Sequence, residues 1–101
     1  MRKTTKSANG TSFHHDAFNA SVSDLYQILG EPFDSNNSGE DKTNFQWEME
    51  TESGDIFTVY DWKEYHRLSE HENIEWHIGG HSGSVTAQAL NEIASELNDL
   101  D

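Results

Sequence analysis

Two kinds of side chain in this 101-residue chain could do chemistry: six histidines and nineteen carboxylates. Trp76-His77-Ile78-Gly79-Gly80-His81 sets two imidazoles four residues apart across a strand end and a glycine turn, and His14, His15, His66 and His71 could converge on them. Zinc accepts three such ligands with a carboxylate. The spacing argues against it: there is no HExxH, and positions four apart on an extended chain lie about 13 Å from each other. Surface or hydrogen-bonded histidines are the simpler reading, with pKa values raised by the acidic surroundings. Carboxylate pairs are too numerous for any one to mark a glycosidase. No GxSxG elbow or phosphate loop is present, and His81-Ser82-Gly83-Ser84 reads as a turn and helix cap. Asp34 to Asp41 is rich in oxygen ligands, but Ser38 and Phe45 stand where a calcium loop needs acidic ligands. With no cysteine there is no disulfide, thiolate metal site or thiol nucleophile. The sequence therefore predicts no catalytic residue, no metal and no cofactor.

What remains is the placement of the acids. Glu48, Glu50 and Glu52 alternate along one strand, which spaces them by about 6.8 Å on one face. Asp55, Asp61 and Glu64 extend this field, with Glu70, Glu72 and Glu75 beyond. From Ser7 onward three basic residues face nineteen acidic ones, a balance of −16. Like charges at this spacing repel, so stability alone does not collect them. Such a surface repels free nucleic acid and anionic membrane and attracts basic proteins. The simpler alternative is charge that keeps a small protein soluble.

The elements that must carry these residues are legible in outline. Phe45, Trp47 and Met49 alternate with Gln46, Glu48 and Glu50, a strand with one buried and one wet face. Ser53-Gly54 supplies a turn and Ile56 to Trp62 the return strand. A two-residue loop would pair Met49 with Thr58, Trp47 with Tyr60 and Phe45 with Trp62, placing Tyr60 and Trp62 in the core and Phe57 and Asp61 beside the acids. Ser21 caps a helix from Val22 to Leu29 that Gly30 and Pro32 end. Ile74 to Ile78 makes another strand stopping at Gly79-Gly80, and Ser84 caps a last helix with a stripe of Val85, Ala89, Leu90, Ile93, Ala94 and Leu97. Thr11 to Asn19 supplies a first strand. Glu31 to Thr43 and Lys63 to Asn73 read as loops. The fold class is α+β, an antiparallel sheet with two helices on one face in the order β-α-β-β-β-α. Residues 1–10 read as a flexible basic tail and 11–101 as one acidic domain. No apolar run is long enough for a membrane span, and a cytoplasmic location is expected.

Thr58-Val59-Tyr60-Asp61-Trp62-Lys63 and Glu75-Trp76-His77-Ile78-Gly79-Gly80 resemble the T-x-Y-D-W-K and E-W-H-I-G-G strands of small uncharacterised accessory proteins of tailed bacteriophages. The resemblance spans about Ser21 to Leu97 and carries no established activity or site residue. It implies a phage source and, by analogy with small acidic phage proteins, a counter-defence role in the host cytoplasm. The expectation is an inhibitor, acting as a DNA mimic in the manner of anti-restriction or anti-CRISPR proteins, that binds a basic host nucleic-acid-binding protein and does not bind nucleic acid itself. Glu48, Glu50, Glu52, Asp55, Asp61 and Glu64 would supply charge, with Phe57 and Tyr65 as aromatic anchors. The alternatives are a structural module that forms a homodimer through an exposed sheet edge and, third, a histidine-centred metal enzyme.

Overall fold

The computed structural model describes residues 1–100. Its elements are β1 (Arg2–Lys3), β2 (Ser12–Ala20), α1 (Val22–Leu29), β3 (Asp34–Ser35), β4 (Phe45–Glu50), β5 (Ile56–Asp61), β6 (Ile74–Gly80) and α2 (Gly83–Asn98). The sheet runs β1-β4-β5-β6-β2, antiparallel throughout, with β3 paired to the far end of β4. The predicted class and order hold, with two-residue β1 and β3 added. No helix among the described residues is long and apolar enough to cross a membrane.

Helix α1 begins at a full capping box: the Asp24 N–H donates to the Ser21 hydroxyl and the Ser21 N–H donates to the Asp24 carboxylate. It ends at Gly30, whose φ of 81° is reached at little cost without a Cβ. At eight residues it is too short to persist alone. Two tryptophans of the sheet hold its ends. Trp47 Nε1–H donates to the Gly30 carbonyl at 2.8 Å and Trp76 Nε1–H to the Ala20 carbonyl at 2.9 Å, so both indoles are buried with their polar edge satisfied. Helix α2 starts two residues earlier than Ser84 would set it, because the Ser82 hydroxyl accepts from the Val85 N–H. Gly80, which extends β6 past the predicted stop, lies where a Cβ would meet Thr86 at 2.9 Å, and this lets α2 sit close on the sheet. Leu25 and Leu29 of α1 and Ala89 and Ile93 of α2 join Trp47, Phe57, Val59, Trp76 and Ile78 in one core.

The hairpin register differs from expectation by one residue. Gln46 pairs with Tyr60, Trp47 with Val59, Glu48 with Thr58 and Met49 with Phe57. The loop holds three residues, Glu52-Ser53-Gly54: the Thr51 N–H donates to the Asp55 carbonyl, and Gly54, at φ 89°, closes the turn on Thr51. A one-residue shift moves every side chain of β5 to the other face. Phe57 and Asp61, expected beside the acids, are fully buried among the core residues. Tyr60 and Trp62, expected in the core, face the open side of the sheet.

The expectation of a structureless tail is also corrected. Arg2 and Lys3 pair with Glu50 and Met49, the Thr4 N–H donates to the Glu48 carbonyl, and the chain then crosses the open face to enter β2 on the opposite edge. The reason is charge. Arg2 Nη2 lies 3.0 Å and Lys6 Nζ 3.7 Å from the Glu50 carboxylate, so the basic segment folds onto the acids of β4.

Candidate functional site

The helix-free face of the sheet carries a line of rings. Trp62 meets Tyr60 edge-on at 6.1 Å, and Tyr60 meets His77 of the next strand at 5.6 Å. His77 stacks on Phe13 of β2 at 4.1 Å, and Phe13 meets His15 at 5.2 Å. Period-two alternation on β5 and β6 places Tyr60 and His77 opposite each other on this face. His15 has a φ of 72° at the bulge where β2 slips its register against β6, a conformation uncommon outside glycine.

At the Trp62 end the rings border an open groove of ≈ 710 Å³. Gln46, Glu48, Thr58, Tyr60 and Gly79 line the strand side, and Thr5 to Asn9, Phe33 and Trp62 line the rest. This volume falls in the range of small-ligand pockets. Gly79 keeps the floor open, since a Cβ there would lie 2.5 Å from Thr58 Oγ1. Glu48 is half-buried and its carboxylate accepts from Gln46 Nε2–H at 3.1 Å. Among the described residues it forms no ion pair, whereas Glu50 takes both Arg2 and Lys6. The Glu50 carboxyl is held below the ordinary range by a hydrogen bond from Thr4 and by the charges of Lys6 and Arg2, against a desolvation cost.

The other predicted site residues are dispersed. Glu52 and Asp55 are exposed on the hairpin turn at the far end of β4, where the Glu52 N–H donates to Glu92 of α2. Phe57 is core. Asp61 is a buried acceptor: its Oδ1 takes the N–H groups of Asn44 and Phe45, each at 2.8 Å, and its Oδ2 takes Asn44 Nδ2–H at 2.9 Å. Its charge ties the start of β4 to the end of β5 and is not offered to a partner.

Glu64 and Tyr65 lie in a loop that interlocks with residues 36–44. The Lys63 N–H donates to the Lys42 carbonyl, Asn37 exchanges two hydrogen bonds with the Leu68 main chain, and Asn44 Nδ2–H donates to the His66 carbonyl. His66 Nε2 pairs with Glu72 at 2.7 Å. Hydrogen bonding to the Glu64 carbonyl and to Glu72 raises the His66 pKa, and the same contact lowers that of Glu72. The joined loops expose Tyr65 at 54 % and Trp62 at 40 %, Phe33 just before β3 is exposed at 71 %, and Glu31, Asp34, Glu40 and Asp41 are exposed as well. Two of the chain's cations, Lys42 and Lys63, lie 5.8 and 5.5 Å from the Trp62 ring centroid.

Of the remaining histidines, His14 Nε2 lies on the Gly80 carbonyl, His77 stands in the ring line 3.6 Å from Glu75, and His71 and His81 are exposed. Among the described residues no three His, Asp or Glu side chains are grouped as a metal ion needs. The sequence expectation placed Tyr60 and Trp62 in the core and gave Phe33 no role. The signal was available in the turn, because Gly at the third loop position after Glu52-Ser53 marks the three-residue hairpin that turns Tyr60 and Trp62 outward. No family model, no curated protein and no solved structure matches the chain, so its site is read from these residues alone.

Proposed function

We propose that this chain is an acidic, non-enzymatic binding protein that blocks a basic nucleic-acid-binding protein of the host, in keeping with its resemblance to phage accessory proteins and with action in the host cytoplasm. The observation that carries this is the pair of interlocked loops, where Trp62 and Tyr65 stand exposed, with Phe33 exposed just before β3, within a carboxylate rim. Exposed aromatics at the centre of a patch supply most of the energy of an interface, and the surrounding charge steers a partner of opposite sign. The hydrogen bonds that join the loops hold their main chain in place before binding, which reduces the ordering cost. Glu50, with its two cations, does not belong to the working surface. Glu48 stays in it, and Glu40, Asp41 and Glu64 take over the role first expected of the β4 row.

The test is a low-salt pull-down from host lysate, followed by competition. Each captured protein is titrated with labelled nucleic acid in the presence and absence of the chain. Displacement of the nucleic acid, with affinity falling steeply as salt rises, supports the proposal. Captured proteins that hold nucleic acid undisturbed overturn it.

A further inference from the structure

We infer that the groove beside Trp62 is a guanidinium site that takes an arginine side chain from an extended segment of the partner, an assignment that rests on the proposed capture of a basic protein. Glu48 supplies the first argument. It is a half-buried carboxylate on the groove wall with one hydrogen bond, from Gln46, and no cation of its own. Lys6 lines the same groove, but its ammonium is directed to Glu50 at 3.7 Å. A partly desolvated carboxylate left without a counter-charge favours a cationic ligand more than one in open water does.

The rings select which cation. Tyr60, Trp62 and Phe33 give the groove aromatic walls of the kind on which a cation stacks. A guanidinium is planar, stacks on an aromatic face, and forks two N–H donors onto one carboxylate. An ammonium does only the last of these, and singly. Thr58 and the Gln46 amide stand on the same wall to receive further N–H donors. The groove also has a direction: it opens between the crossing segment of residues 5–12 and Phe33, so the side chain enters while its main chain lies along the carboxylate rim.

The experiment titrates the isotope-labelled full chain with acetyl-Arg-Gly-Arg-Gly-Arg-amide, with its lysine counterpart, and with a neutral disaccharide, following amide and indole resonances at low salt. The Trp62 indole N–H reports the groove, while the buried indoles of Trp47 and Trp76 report that the fold is intact. The expected result is that the arginine peptide shifts Trp62, Gln46 and Thr58 and binds several-fold tighter than the lysine peptide. Glu48→Gln, which keeps shape and loses charge, should weaken the arginine peptide roughly tenfold, and Trp62→Leu should remove its preference over lysine. Equal binding of both peptides with no effect of Glu48→Gln, and shifts confined to Glu40, Asp41, Glu64 and Tyr65, overturns the guanidinium site and leaves the acidic capture surface standing. Preferential binding of the disaccharide in the groove overturns the site as well. Absence of binding by either peptide overturns both it and the function it rests on.

Discussion

Asp61 and Asn44 hold the open end of the hairpin together: one carboxylate oxygen accepts two main-chain N–H groups, from Asn44 and Phe45, while the other accepts the Asn44 side-chain amide. All of this is inside the protein, with Asp61 fully buried. Asp61→Ala strands three buried donors, each costing on the order of 1–3 kcal/mol when unsatisfied, so a loss of about 3 kcal/mol or more is expected. Asp61→Asn should recover much of it, because its amide oxygen can still accept both main-chain N–H groups and only the Asn44 side-chain amide then meets a donor. Urea denaturation measures the loss. A stable Asp61→Ala variant with weakened partner binding would return this residue to the interaction surface.

Gly39 and Gly83 make a matched pair. A Cβ on Gly39 would sit 2.6 Å from the His66 carbonyl carbon, in a backbone with φ of 79°, so both space and conformation oppose it. Gly39→Ala is expected to cost about 2 kcal/mol or more and to loosen the interlocked loops. Gly83, in the first turn of α2, has nothing within 4 Å of an added Cβ, and Gly83→Ala should stabilise by about 0.5 kcal/mol. Opposite shifts in denaturation midpoint check both at once.

The Glu50 site predicts an acid-side loss of stability. Its folded pKa lies below the ordinary value of 4.5, so its contribution is complete above that pH and is lost as pH falls through the folded pKa. Glu50→Gln should flatten the stability profile below about pH 4.5. In parallel, amide exchange at Lys3 and Thr4 should speed up in the variant at neutral pH, because the crossing segment loses its anchor. An unchanged acid profile would mean that this ion pair does not fasten the segment.

The His66–Glu72 pair acts from both sides. His66 is raised above 6.5, so its contribution is present below that pH and lost as pH rises through the folded pKa; Glu72 is lowered below 4.5, so its contribution is lost in acid. The loop around Tyr65 should therefore be best ordered between about pH 4.5 and 6.5. A histidine titration by NMR that gives His66 a pKa at or below 6.5 contradicts this.

Much of the fold was legible because its signals are local. The alternation of Phe45, Trp47 and Met49 and the Ser21 to Asp24 cap reappear as expected, and the α2 stripe reappears at Ala89 and Ile93, although Ala94 is exposed and Thr86, outside the expected stripe, is buried. The site was much less legible, since it depends on a turn one residue longer than Ser53-Gly54. With β5 turned over, two residues expected to bind became core, and two expected in the core became the groove. The docking of residues 2–6 was hidden for another reason. It depends on Glu50, far along the sequence, and composition alone makes such a segment look like a tail.

Charge reversal now separates surface from scaffold. Placing Lys at Glu50 would set a third cation beside Arg2 and Lys6, so any loss of binding there would reflect a displaced N-terminal segment. Glu40 and Asp41 are exposed on the interlocked loops, and Glu40→Lys with Asp41→Lys changes the surface charge by four units while leaving every core residue in place. Exposed reversals of this kind cost within about 0.5 kcal/mol of stability. Their effect on a steered encounter is larger: association with a basic partner should slow by roughly tenfold or more at low salt, and the difference should shrink as salt approaches 0.5 M, where screening removes it. Stopped-flow association rates at two salt concentrations check this, with Glu52→Lys and Asp55→Lys on the distant hairpin turn as the comparison. If reversal at the turn slows association as much as reversal at the loops, net charge governs the encounter and the aromatic loops have no special claim to the partner.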